Sequence, residues 1–287
     1  MPANLQLLKR RIKTSQNIAQ IAKAMETISA SKIKKAQDAV TGNKPYAQKI
    51  LELASKAMSQ TGKKKFSHQY INLPKNKKKL YIIISPDKGL CGGLNTNLYK
   101  KIMEVDSSKT LYITLGKKAQ KFASKLEGEL FASFPLGSTL PSYAAIIQVK
   151  SLLDELILKK EITEAHLLFA EFESILTQKP TSVKLLPLEL EQFSDEVTLK
   201  DVRENDDTIF EPDAESFLLD LLPQYVETQI YNALLQAYTS EQAARMMAMQ
   251  NAKNNAFDIA DYLTLVYNKS RQERITNEIL DLTNSQY

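Results

Sequence analysis

QYVETQIYNALLQAYTSEQAARMMAMQNAKNNAFDIADYLTLVYNKSRQERITNEILDLTNSQY, residues Gln224–Tyr287, contains neither glycine nor proline. Its apolar positions return at helical spacing. Val226, Ile230, Ala233 and Ala237 step 4-3-4; Ala252, Ala256, Ile259, Leu263 and Val266 step 4-3-4-3; Ile275, Ile279 and Leu282 step 4-3. That period puts each set on one face of an α-helix. At about 1.5 Å per residue, an unbroken helix over this run is roughly 96 Å long. No small domain covers such a length, so the helix needs a partner helix, a surrounding assembly, or both.

The opposite end of the chain reads the same way. Ala3 to Thr41 also lacks glycine and proline. Ile18, Ile21, Met25 and Ile28 step 3-4-3, and Ile33, Ala36 and Val40 resume after a one-residue slip, which predicts an irregular apolar stripe. Gly42 and Pro45 are expected to interrupt or kink the helix. Ala47 to Met58 then continues it, with Ile50, Leu53, Ala54, Ala57 and Met58 on one side. The first 40 residues hold eight Lys or Arg against Glu26 and Asp38. That excess suits a solvated face or an acidic partner, and the pattern does not choose. Lys63 to Lys79 carries seven lysines and no acid, and is expected to be an exposed linker.

Between these ends the period changes. Leu80–Ile84 (LYIII) is a continuous apolar run, as in a strand buried on both faces. Further strands are expected at Leu111–Leu115, Leu130–Phe134, Ala165–Phe172 and Val183–Leu188. Helices are expected from about Leu94 to Met103, Lys117 to Leu126 and Ser142 to Leu158. Strands alternating with helices predict a Rossmann-like α/β domain with a largely parallel sheet. Glu189 to Glu215, with eleven Asp or Glu, reads as a polar segment or loose hairpin, and Pro212-Asp213 as a helix start. The fold class is therefore α/β: long N- and C-terminal helices in an antiparallel coiled coil, with the α/β domain inserted between them. The boundaries are 1–60 for the N-terminal helix, 61–79 for the lysine-rich linker, 80–211 for the inserted domain and 212–287 for the C-terminal helix.

Composition narrows the function classes. An apolar fraction of 43% and a charged fraction of 25% are those of a soluble globular protein. No run approaches the ~18 apolar residues of a membrane-spanning helix. The start MPANLQLLKRRIK lacks the apolar region of a secretory signal. One cysteine excludes an internal disulfide, and two histidines leave little for a zinc site. A net charge of +5 does not by itself argue for nucleic acid.

SPDKGLCGGLN, residues 85–95, follows a buried strand and opens a helix, where phosphate-binding loops sit. Gly89, Gly92 and Gly93 fit neither the Walker nor the dinucleotide spacing, so a tight strand-to-helix turn is favoured over an anion site. Cys91 as a nucleophile needs a base, and neither His68 nor His166 is spaced to supply one. No catalytic or metal-binding motif occurs. Met246, Met247 and Met249 among alanines form an adaptable surface, and Glu241 with Arg245 reads as a solvated i,i+4 pair or as latches toward a partner.

Three segments in order carry a resemblance. Arg11–Gln37 (RIKTSQNIAQIAKAMETISASKIKKAQ), Ser85–Lys100 (SPDKGLCGGLNTNLYK) and Ser240–Ile279 resemble the opening helix, the glycine segment and the C-terminal signature of the gamma subunit of F-type ATP synthases. The resemblance implies a rotor shaft without catalytic residues, cofactor, bound nucleotide or nucleic acid. Its partners would be the alpha and beta subunits of the catalytic hexamer, the epsilon subunit and the membrane c-ring. Its place would be the cytoplasmic face of a bacterial cell membrane or, alternatively, the matrix side of the mitochondrial inner membrane. By motif, Lys23, Met25, Lys88 and Cys91 match positions beside the acidic lever of beta. Glu241, Arg245, Arg271, Gln272 and Thr276 match positions of polar contact or energy coupling, with Glu241 and Arg245 expected to face outward. Lys88 replaces a common arginine, which gives up a bidentate grip on a carboxylate. The competing classes are a phosphate-binding α/β protein with helical extensions and a nucleic-acid-binding coiled coil.

Overall fold

The computed structural model describes residues 5–61, 68–105, 107–189 and 208–284. Lys63–Lys65 and most of the acidic segment, 190–207, lie outside the described residues. In chain order the elements are α1 (Leu5–Thr61), β1 (Lys78–Ile84), α2 (Leu94–Met103), β2 (Thr110–Leu115), α3 (Lys117–Ala123), β3 (Glu129–Phe134), α4 (Ala144–Leu158), β4 (Ile162–Phe172), β5 (Gln178–Leu186) and α5 (Ala214–Asn284). A short 3₁₀ turn, Ser107–Lys109, leads into β2.

The sheet order is β3-β2-β1-β4-β5, with β1 to β4 parallel and β5 antiparallel to β4. LYIII lies at its centre, and Leu80, Ile82 and Ile83 are fully buried because helices cover both faces. On one face Tyr81, Ile83, Tyr112 and Leu168 pack against α2 and α3. On the other, Leu80, Ile82, Ile113 and Leu167 pack against α4, against Ile50, Ala54 and Ala57 of α1, and against Leu218 to Ala237 of α5. The expected α/β architecture is present, and β5 begins at Gln178 instead of Val183. Its pairing with β4 carries the polar QKPTS segment into the strand.

The chain divides into two compact units, residues 32–244 and residues 1–31 with 245–287. Within the first, α1 runs on through Gly42 and Pro45, so of the interruption or kink expected there no interruption occurs. Pro45 removes a donor from the Thr41 carbonyl, but both residues are exposed, so water can satisfy that carbonyl. Asn43 Nδ2 donates to Asn232 Oδ1 at 2.6 Å, fixing this turn against α5. α5 begins where Pro212-Asp213 predicts. The Asp213 carboxylate accepts from Ser216 N at 2.9 Å, an N-cap bond.

The linker expectation fails at Tyr70. This residue is fully buried, its hydroxyl donates to Asp154, and its carbonyl accepts from Leu188 N. Burial and the Asp154 carboxylate push its pKa far above the usual tyrosine value. One aromatic side chain thus outweighs the lysines around it.

In the second unit α1 and α5 lie side by side, and the seam differs from the expected stripe. Leu8, Ala19, Ala22 and Ser29 are buried, and with half-buried Ile12, Ser15 and Glu26 they step 4-3-4-3-4-3. On α5, Met249, Ala256 and Ala260 are buried, with Lys253, Leu263 and Tyr267 between and beyond them at the same spacing. Lys253 Nζ meets Glu26 Oε2 at 2.8 Å across the seam. Within the first unit, Asn43 meets Asn232 and Gln60 Nε2 donates to the Thr208 carbonyl just before α5, so residue numbers rise along α1 as they fall toward the start of α5, an antiparallel direction.

The expected stripe of Ile18, Ile21 and Ile28 is instead 50%, 62% and 56% exposed, and only Met25 is half-buried. The inferred slip before Ile33 disappears, because the heptad of small residues runs on into Ile33, Ala36 and Val40. Alanine and serine let two helix backbones approach closely, and the isoleucines are left on the outer faces. The same correction applies to Ile259, Ile275, Ile279 and Leu282 of α5, all exposed, whereas Val226, Ile230, Ala233 and Ala237 are buried as expected.

Two stability predictions follow from this packing. An Ala22→Leu substitution overfills the seam and costs about 1–3 kcal/mol, whereas Ile21→Ala costs less than about 0.5 kcal/mol; thermal unfolding by circular dichroism separates them. Gly116 has φ 105, and a Cβ there would lie 1.9 Å from the Ser85 carbonyl oxygen. Gly116→Ala is therefore expected to cost at least about 3 kcal/mol in urea unfolding, because backbone must move.

Candidate functional site

The loop after β1 is built by hydrogen bonds at the carboxyl edge of the sheet. Ser85 Oγ accepts from Ala119 N at 2.6 Å, and the Pro86 carbonyl accepts from Lys118 N at 3.2 Å. The Asp87 carboxylate accepts from the amides of Lys117, Leu136 and Gly137. Leu90 (φ 63) and Gly92 (φ 56) adopt left-handed conformations that turn the chain back into α2. Lys88 is exposed on this loop.

Cys91 is 2% exposed, and Asn95 Nδ2 donates to its sulfur at 3.3 Å. It clusters with Leu94, Ala170 of β4 and Ala244 of α5. The crevice between β1 and β4, where the strand order reverses, is the ligand site of doubly wound folds. Here an apolar plug that includes α5 fills it, and the glycine loop acts as a turn. Both histidines are engaged elsewhere. His166 stacks on Tyr81 with centroids 4.9 Å apart, and His68 lies edge-on to Tyr70. Cys91 is a packed side chain and not an exposed nucleophile.

Glu241 and Arg245 are each 8% exposed, so the outward, solvated pair expected for them is corrected. Their stretch of α5 is buried around its whole circumference: Tyr238, Thr239, Ser240, Gln242, Ala243 and Ala244 are buried too. Glu241 Oε1 accepts from Gln242 Nε2 at 3.3 Å. Amphipathic spacing cannot reveal a segment enclosed on every side. The one legible cue was its high content of alanine and small hydroxyl residues.

In the helix-pair unit, Lys23 is exposed and Met25 is half-buried beside the Glu26 of the Lys253 pair. Arg271, Gln272 and Thr276 are exposed, and Thr276 Oγ1 donates back to the Gln272 carbonyl at 3.0 Å. Around them stand exposed Ile18, Ile21 and Ile28 of α1 and Tyr262, Leu265 and Ile279 of α5. These large apolar side chains were not among the expected contact residues. The signal that finds them is the competing heptad of small residues, which takes the seam and leaves the isoleucines outside. Large apolar side chains left exposed together are a feature of interaction surfaces.

Among the described residues no cluster of His, Cys, Asp or Glu could hold a metal ion. No helix among them is long and apolar enough to cross a membrane.

Comparison with known proteins agrees with this architecture. The family model described as "ATP synthase" matches residues 4–286. The ATP synthase gamma chain of Dehalococcoides mccartyi (strain BAV1) is 37% identical, over 98% of this chain and 97% of the relative. That of Desulforamulus reducens is 37% identical over 96% and 95%. Among solved structures, a chain of the Euglena gracilis mitochondrial ATP synthase in its OSCP/F1/c-ring assembly superposes with a TM-score of 0.70 at 17% identity, covering 100% of this chain and 94% of that one. A chain of the same organism's rotor gives 0.68 at 19%, covering 96% and 100%. At those identities the superpositions speak for the fold alone. With the near full-length match to the family model and to the bacterial relatives, the chain belongs to the ATP synthase gamma-chain family.

Proposed function

We propose that this chain is the rotor shaft of a proton-translocating ATP synthase. The α/β domain would sit on the membrane ring and bind epsilon. The helix pair would turn inside the hexamer of alpha and beta subunits. The observation that supports this best is the seam of Ala19, Ala22, Ala256 and Ala260 with isoleucines, Tyr262 and Leu265 facing away from it. A helix pair held by small residues is narrow, and the large apolar side chains left on its outside offer contacts to a surrounding partner. ATP is made and hydrolysed on beta; this chain carries torque. The ends of the chain, within 1–60 and 212–287, supply the shaft, and 80–211 supplies the foot, whose core Ile50, Ala54, Ala57 and Leu218 to Ala237 complete. A peripheral place on the cytoplasmic face of a bacterial membrane fits the bacterial relatives.

The roles of the individual residues follow their exposure. Lys23, Lys88, Arg271, Gln272 and Thr276 are exposed and would touch beta directly. Cys91, Glu241 and Arg245 are buried within this chain and would act by holding the loop and α5 in place. Coupling needs contacts that differ between the conformations of beta. An asymmetric helix pair presents a different face to each beta at every angle.

Purification of the chain from native membranes is expected to bring down alpha and beta subunits with ATPase activity; recovery without them contradicts the assignment. Within the assembled enzyme, Met25→Lys places a cation next to beta's acidic lever. Proton pumping per ATP hydrolysed is expected to fall by at least about fivefold, the low end of ordinary coupling energies, while hydrolysis itself stays near wild type. Equal loss of both activities, or of neither, counts against this placement.

A further inference from the structure

Asp87 is the acceptor for amides from two other loops. Its Oδ1 lies 2.8 Å from Lys117 N and 3.3 Å from Leu136 N, and its Oδ2 lies 2.8 Å from Gly137 N. Lys117 opens α3 after β2, and Leu136 and Gly137 form the turn after β3. One carboxylate thus joins the loops at the carboxyl ends of three neighbouring strands. Hydrogen bonds to an ionised acceptor are roughly twice as strong as neutral ones. The bonds of Ser85 Oγ and the Pro86 carbonyl to α3 amides clamp the same loop immediately upstream. Downstream, the chain passes Lys88 and reverses through Leu90 and Gly92. Between those two residues it seats Cys91 against Ala170 and Ala244.

We infer that Asp87 is a positioning residue: its carboxylate locks the β1–α2 loop to the two adjacent loops, which keeps Cys91 seated against α5 and holds Lys88 in place for its partner. The claim about Cys91 stands on geometry alone; the claim about Lys88 rests on the shaft reading. The site calls for a carboxylate. Its neighbours are all N–H donors, so an amide side chain must either turn its own N–H₂ toward one of them or leave it.

The sulfur of Cys91, the chain's single cysteine, reports the loop's position. Maleimide labelling of Cys91 in the folded full-length chain, read by mass, is expected to accelerate at least about tenfold in Asp87→Ala, since local opening exposes the thiol. Asp87→Asn, which can keep two of the bonds, is expected to fall between Asp87→Ala and wild type, and it carries the test if the alanine variant does not fold. Leu153→Ala, in the buried face of α4, serves as a control for general destabilisation and is expected to leave labelling near the wild-type rate. Labelling of the Asp87 variants no faster than wild type, or no faster than this control, overturns the inference. In the assembled enzyme, Asp87→Asn is expected to lower pumping per ATP hydrolysed while hydrolysis is retained. Faster labelling with unchanged coupling overturns the Lys88 half alone. Failure of the wild-type chain to assemble with alpha and beta would instead remove the shaft reading and leave the loop anchor intact.

Discussion

Two helix backbones can lie close only where the side chains between them are small, and the rest of the helix pair follows from that constraint. Ala19, Ala22, Ser29, Ala256 and Ala260 fill the seam, and Glu26 with Lys253 forms a half-buried ion pair across it. Burial of alanines returns little hydrophobic free energy per residue, at roughly 25 cal/mol per Å² of apolar surface. A pair held this way gains stability through length and from whatever covers its outside. The large side chains are placed for that second contribution: Ile18, Ile21, Ile28, Tyr262 and Leu265 stand where an enclosing partner would bury them. The same arrangement serves rotation, because outward apolar contacts are non-directional and hold no single angle strongly.

The α/β unit solves a different problem. Its sheet is covered on both faces, with α2 and α3 on one side and α4 with the terminal helices on the other. The terminal helices are therefore part of its core and not appendages to it. At the carboxyl edge of the parallel strands, where related topologies take up ligands, this chain uses its own groups. Asp87 and Ser85 satisfy the amides of adjacent loops, and Cys91, Leu94, Ala170 and Ala244 close the switch point. A topology that takes up ligands at this edge in other proteins is here closed by its own side chains.

Much of this was legible in the sequence because it rests on local periodicity. LYIII could only be a strand buried on both faces, and α2 begins and ends at Leu94 and Met103 as its spacing predicts. What could not be read was which of two overlapping helical stripes becomes the seam. Hydrophobicity favours Ile18, Ile21 and Ile28; close approach of two backbones favours Ala19, Ala22 and Ser29, and tertiary geometry decided for the latter. Glu241 and Arg245 were misplaced for a related reason, since a helix enclosed on all sides has no polar face to announce itself. Tyr70 shows the converse, an aromatic residue buried inside a segment whose lysines advertise exposure. Among the candidate contact residues, Lys23, Lys88, Arg271, Gln272 and Thr276 are exposed, as a contact role requires. Cys91, Glu241 and Arg245 are buried, which turns their proposed role from touching a partner to supporting those that do.

Rotation of this chain can be observed in single complexes. With the hexamer of alpha and beta subunits fixed to a surface and a probe attached to the exposed part of the α/β domain, addition of ATP is expected to drive stepwise rotation in one direction, one step for each catalytic beta site. ATP hydrolysis by the same immobilised complexes with the probe stationary, or fluctuating without direction, would contradict the account.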